Sequence, residues 1–321
     1  MRDFLKYLTQ LNLPLAITLL AGSVALWIPD VIAAVGKAET DYTLISLPHA
    51  ITVSTHPIVI LLFTFVVTVI NSVVIMGLLY NSGLTKSRSL MPVVLYMMLV
   101  GSVSFMHFEL AYQIGLLLFC IVLLILYAAN RRAGASEEVF LATLLLLVGA
   151  AFIPDLVWFV IFIWVALIVE RSFNLRTWLA SVIACVIVAI ATLIIEYSVG
   201  NGFEQTGFYD VFFRQLHAVD NRRTLVIEVF YSILMIALTV YYYSTRSRLN
   251  VRLIVACDLF LLAALFVLVL IIFPSAQGVS LYQIGALSVT ALAVHYFSGQ
   301  PSILRGSLFI ANIVIQVLYW L

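Results

Sequence analysis

The chain has 321 residues, 64% of them hydrophobic and only 10% charged, with a formal net charge of +1. A soluble globular chain carries about 25% charged residues, so a water-soluble enzyme is excluded, and basic residues scattered in pairs between apolar runs exclude a nucleic-acid partner. Cys120, Cys185 and Cys257 each fall inside an apolar run without metal-like spacing and read as small membrane-core residues.

The N-terminal stretch MRDFLKYLTQLNLP is an amphipathic lead-in without a small-residue cleavage site, and is expected to be retained. Apolar runs long enough for a hydrocarbon layer of about 30 Å then recur to the end of the chain. Eleven spans are predicted, at roughly 13–35, 56–80, 91–107, 111–130, 138–153, 156–171, 177–199, 224–243, 252–273, 281–297 and 304–321. The expected fold class is therefore all-α, a polytopic transmembrane helix bundle forming one membrane domain over 1–321 with no soluble domain. The fifth and sixth spans are short and read alternatively as one broken hairpin turning at Pro154–Asp155, because proline disfavours helix in the residue before it.

Orientation follows from the basic residues. Of the 16 lysines and arginines, only Lys37, Arg214, Arg222 and Arg223 fall on one side, and the rest fall on the side of the N-terminus. That predicts an N-terminus inside and a C-terminus outside, in a bacterial cytoplasmic (inner) membrane. The acids sort the other way. Asp30, Glu39, Asp41, Glu109, Asp155, Glu196, Glu204, Asp210, Asp220 and Glu228 all lie in or near the outer half. Acids have little influence on insertion, so the skew marks the outer face as the working one.

Two outer loops are long, 36–56 and 200–223. The first lies in WIPDVIAAVGKAETDYTLISLPHAITVSTHP, which holds Asp30, Glu39, Asp41, His49 and His56 between two apolar spans. In the second, Phe208, Val211, Phe212, Gln215, Leu216 and Val219 share a helical stripe that leaves Asp210, Arg214 and His217 off it, the pattern of a helix lying in the interface. Between the third and fourth spans FMHFEL puts His107 and Glu109 in a short outer turn. With Asp30 or Asp41 beside them, these groups could act as a general base, hold a phosphate, or bind a divalent cation. No recognised metal-binding spacing is present. The competing reading is that each acid simply ends a helix in headgroup water.

Asp258, inside the ninth span, reads as a structural pair with Arg252 or a neighbouring base, or else as part of an ion path. Asn71, Ser72, Asn312 and Gln316 read as interhelical hydrogen-bonding residues. Trp27, Trp158, Trp164, Trp178 and Trp320 read as interfacial anchors.

Two inner motifs carry a resemblance. NSGLTKSRSLMPVVLYMML resembles the polar loop and third span of a family of bacterial polytopic membrane proteins of unknown function, found mainly in Bacteroidetes, where the loop reads N…TNRTLLP…LY. FIPDLVWFVIFIWVALIVERSFNLRTWLASVIA resembles that family's later F–P…RPFN-R-EW region, with Thr177 standing where an acid is commoner. This resemblance implies membership and no activity. A second, architectural one is to the C-type glycosyltransferases, which use polyprenyl-phosphate-linked sugars and carry an acid in a long first outer loop. It implies that Asp30, Asp41 or Glu109 deprotonates the acceptor. Under it, His107, Arg214, Arg222 and Arg223 bind the substrate and stabilise the leaving phosphate. The large soluble domain of many such enzymes is missing, and so is a DxD motif.

The function expected is thus a periplasm-facing, lipid-linked glycosyl transfer or envelope-assembly role. Membrane lipid and a polyprenyl-phosphate-linked sugar would be the partners, and a divalent cation the one candidate cofactor. A transporter or lipid flippase would instead line a cavity with Asp258, Asn71 and Asn312. A scaffold would join envelope-complex subunits.

Overall fold

A computed structural model describes residues 13–35, 37–45, 51–85, 89–101, 107–129, 135–170, 172–199, 222–272 and 278–297. The architecture is helical with one small sheet. The first apolar run is two helices, α1 (Leu13–Ala25) and α2 (Ile28–Ala34). Pro29 breaks it, because its ring nitrogen cannot donate to the carbonyl four residues back and its ring crowds that turn. The strands β1 (Thr40–Ile45) and β2 (Ile51–Thr55) pair antiparallel, Tyr42 opposite Val53 and Asp41 opposite Ser54. α3 (Pro57–Asn81) starts under a cap in which His56 Nδ1 accepts from the Ile58 N–H at 3.3 Å, with Pro57 in the first turn. It stops at Gly83, whose φ of +78° suits glycine. There Leu84 N–H reaches Leu79 O and Gly83 N–H reaches Tyr80 O, both at 2.9 Å, closing the last turn.

Next come α4 (Met91–Gly101), α5 (Leu110–Ala129) and α6 (Ser136–Ala150). A 3₁₀ turn at Pro154–Trp158 then leads into α7 (Phe159–Val169). α8 (Leu175–Val199) follows a reciprocal cap in which Thr177 N–H donates to Asn174 Oδ1 at 2.8 Å and Asn174 N–H donates to Thr177 Oγ1 at 3.0 Å. That is the geometry a glutamate usually completes at this position, so the hydroxyl of Thr177 does there what an acid would do. α9 (Arg222–Thr245), α10 (Val251–Ile272) and α11 (Gly278–Phe297) complete the described chain.

Among the described residues, five segments are long and apolar enough to cross a membrane: Ala16–Ala34, Pro57–Asn81, Leu110–Ala129, Leu175–Ile195 and Val251–Leu270. Met91–Gly101, Pro154–Val169 and Leu281–Phe297 are apolar and shorter. α4 sits at the centre, packed against α1, α3 and α11, and nearly all of its side chains are buried. The outer faces are apolar too. α3 exposes Leu62, Phe63, Val66 and Val73, and α8 exposes Ile183, Ile187, Ile190 and Ile194. Contiguous exposed apolar faces of this extent suit a hydrocarbon surround and not water.

Several expectations change. The loop predicted at 36–56 contains a β-hairpin, the one sheet among the described residues. Of the third run, Met91–Gly101 is described as helix, and His107 and Phe108 lie in a 3₁₀ turn. Arg222 and Arg223 belong to the first turn of α9 and not to a loop. Trp27 is buried and Trp164 points inward, so neither is an interfacial anchor. Ser72 bonds within its own helix, to Val69 O at 2.7 Å. His49, His217, Arg214, Asn312, Gln316, Trp320, the eleventh predicted span and the amphipathic stripe of the second loop lie outside the described residues.

Candidate functional site

At the end of the bundle where α2, the hairpin and the start of α5 meet, two residues far apart in sequence come together. Asp30 sits in the first turn of α2, brought there by the break at Pro29. His107 sits in the 3₁₀ turn before α5. Asp30 Oδ2 lies 2.5 Å from His107 Nδ1, with the carboxylate side chain 17% exposed and the imidazole 0% exposed. Trp27 stacks on the imidazole, ring centroids 3.7 Å apart and planes inclined by 20°, and Phe65 meets the indole edge-on at 5.2 Å. A Cβ on Gly101 would lie 3.2 Å from Ser23 O and 3.3 Å from Trp27 Nε1, so α4 packs closely against the indole at this glycine.

A carboxylate on Nδ1 fixes the proton on that nitrogen and leaves Nε2 as the basic atom of the neutral ring. Among the described residues Nε2 has no hydrogen-bond partner, and neither has Trp27 Nε1. An oriented, buried imidazole with its second nitrogen unengaged is equipped to take a proton from a hydroxyl. Glu109, two residues further on, is largely buried, and desolvation raises its carboxyl above the ordinary range.

Of the residues expected at the site, Asp30 and His107 are in contact and Glu109 borders them in sequence. Asp41 is exposed on β1. Tyr42 and Leu44, on the opposite face by strand alternation, line a groove of about 240 Å³ together with Val53, Val59, Phe63 and Phe108. The side chains of Arg222 and Arg223 lie outside the described residues. Among the described residues no group of three or more His, Cys, Asp or Glu side chains is placed to hold a metal ion.

Of the polar residues weighed for a transport path, Asn71 and Asp258 have other partners, and Asn312 lies outside the described residues. Asn71 Nδ2 donates to the backbone oxygen and to Oε1 of Gln113, both at 2.9 Å, and Tyr96 Oη donates to the same Oε1 at 3.2 Å. Asp258 accepts from Arg246 Nη2 and from Tyr242 Oη, each at 2.7 Å. The base is Arg246, reaching in from the turn after α9, and not Arg252. Beside this pair Glu170 caps the end of α7 with Oε1 buried, and desolvation and then the Asp258 charge push its carboxyl up to about 8. Gln113 and Trp27 are the functional-site and network residues that the sequence reading missed. Gln113 had a visible signal, as an amide inside an apolar run one turn after FMHFEL. Trp27 had none, because a tryptophan at a span end ordinarily faces the interface. A larger apolar cavity, about 530 Å³, lies between α6, α8 and the Pro154 turn. No family model matches the chain, and no curated protein or solved structure matches it either.

Proposed function

We propose that the chain is a multi-pass protein of a bacterial inner membrane, N-terminus inside, that transfers a glycosyl group from a polyprenyl-phosphate-linked donor at its outer face. The observation that carries the proposal is the Asp30–His107 pair, with Nδ1 held by the carboxylate and the buried Nε2 without a hydrogen-bond partner among the described residues. The five long apolar helices and the basic bias of the N-terminal side support the membrane setting and its orientation.

In this reading His107 Nε2 takes the proton of the acceptor hydroxyl as its oxygen attacks the anomeric carbon. The carbon–oxygen bond to the phosphate breaks, and the phosphate leaves with the bonding pair. Asp30 positions the imidazole and stabilises the imidazolium that forms. Glu109, held towards its neutral form by burial, is a proton donor next to the departing group. Arg214, Arg222 and Arg223 are assigned to the leaving phosphate on charge alone. Asp41, on the other face of its strand, is assigned no proton transfer.

The test is transfer of a labelled sugar from a polyprenyl-phosphate donor by the full chain in proteoliposomes. Asp30→Asn and His107→Gln should each lower turnover per folded molecule about 10²- to 10⁴-fold, the range for a positioned acid–base group, with the folded fraction read from thermal unfolding. Wild-type turnover in both variants would remove the acid–base assignment.

A further inference from the structure

Where α9 gives way to α10, the sequence TRSRLNVR places Arg246, Arg248 and Arg252 within one short turn. The three do different things. Arg246 is committed inward: its Nη2 donates to Asp258 Oδ2 at 2.7 Å, and its guanidinium carbon lies 5.8 Å from the centroid of the Tyr243 ring. The other carboxylate oxygen of Asp258 accepts from Tyr242 Oη, also at 2.7 Å. Arg248, at the end of the 3₁₀ turn, and Arg252, in the first turn of α10, are exposed, and neither has a carboxylate partner among the described residues. Even a fully extended chain would hold their Cα atoms no more than about 14 Å apart, a gap that two arginine side chains can close together. The N-terminus of α10 lies between them and favours an anion in the same place.

The helix that leads into this turn has one apolar side left bare. Ile233, Ile236, Val240 and Tyr243 recur at spacings that put them on one face of α9, and all four are exposed, while Leu234, Leu238 and Tyr242 on the other side are buried. Tyr243 ends the stripe next to the arginines, and tyrosine is favoured at the level of lipid head groups. Val251, also exposed, extends the apolar surface past the turn. Hydrocarbon alongside this stripe therefore reaches up to two guanidinium groups that have no counter-charge in the protein.

We infer that the α9–α10 turn binds one anionic phosphoglycerol lipid, its phosphate held between Arg248 and Arg252 and an acyl chain lying along Tyr243, Val240, Ile236 and Ile233. Guanidinium groups bind the two free oxygens of a phosphodiester in a forked geometry. A head group that adds an ammonium is disfavoured, because both oxygens of Asp258 are already engaged and the turn carries excess positive charge. A glycerol head group adds no charge. The site shares no residue with the Asp30–His107 pair and does not depend on the activity proposed above.

The full-length protein, exchanged into nanodiscs of equal parts phosphatidylglycerol and phosphatidylethanolamine and released into native mass spectrometry, reads the retained lipid directly. Both leaflets have the same composition, so the result is independent of how the chain is oriented. The wild type should retain phosphatidylglycerol in preference. Arg248→Gln and Arg252→Gln should each lower that preference about fivefold, the scale of one basic residue at a lipid surface, and the double variant should remove it. Arg176→Gln takes a different exposed arginine from the first turn of α8 and should leave the preference unchanged. All of these are surface changes, and melting temperatures should stay near wild type. Equal retention of the two lipids by the wild type, a preference that survives the double variant, or an equal fall with Arg176→Gln, the mark of diffuse attraction, would overturn the inference. If the double variant does not fold, the two single variants decide.

Discussion

Gly115→Ala probes the joint between α5 and the Pro154 turn. A Cβ at Gly115 would lie 2.5 Å from Ile153 Cγ1 and 2.7 Å from its Cδ1, well inside the about 3.5–4.0 Å at which carbons rest in contact. Ile153 has little room to give. Its side chain is fully buried, its N–H donates to Gly149 O at 2.9 Å, and its carbonyl accepts from Leu156 N–H at 3.0 Å. Overpacking of this kind costs about 1–3 kcal/mol. Alanine returns about 0.5–1 kcal/mol through helix propensity, so a net loss of about 1–2 kcal/mol is expected. Thermal unfolding in detergent, followed by tryptophan fluorescence, should show a fall of several degrees, at about 2–4 °C per kcal/mol. The decisive arm is a cycle with Ile153→Ala, which alone costs about 2–5 kcal/mol. In that background the clash is gone, so Gly115→Ala should stabilise. Equal effects in the two backgrounds, or a Gly115→Ala protein as stable as wild type, would refute the close approach of α5 to the turn.

Gln113→Leu should destabilise by about 1–3 kcal/mol, because Asn71 Nδ2 and Tyr96 Oη lose a shared acceptor inside the bundle. Adding Asn71→Leu should recover part of that loss in the same melting assay. Glu170 gives a pH dependence whose sign is set by its raised carboxyl. Between the ordinary carboxylate range and about 8 the folded chain holds a proton that the unfolded chain has released, so stability falls as pH rises through that window and levels off above it. Glu170→Gln should flatten the melting temperature across the window, and a wild-type slope retained in the variant would place the titration elsewhere.

Much of the helical layout was legible because it rests on run length and on proline. The breaks at Pro29 and Pro154 follow from a missing N–H, which a sequence displays. Pairing of Asp258 with a base at its boundary was also legible, since a carboxylate in an apolar helix demands a partner, but the identity of that base was not. Arg252 is nearer in sequence on the same helix, whereas Arg246 reaches Asp258 from the turn before it. The hairpin was hidden for a different reason. TDYTLI and ITVST alternate with β-branched residues, as strands do, yet the segment sits between apolar spans where hydropathy dominates the reading. The meeting of Asp30 with His107 joins residues 77 positions apart, one in α2 and one in the turn before α5, and no local pattern encodes it.

The α6 helix has 15 residues and so rises about 22 Å, against the about 30 Å of a bilayer's hydrocarbon. α7 beyond the Pro154 turn is shorter still, at 11 residues. Were each of the two to cross, a bilayer flanking this side of the bundle would have to thin to meet them, at a fraction of a kcal/mol for each ångström. Such a dent biases the chain towards thinner membranes and towards lipids with shorter tails. It would also bring the two leaflets closest together on the side where α6, α8 and the Pro154 turn line the 530 Å³ apolar cavity.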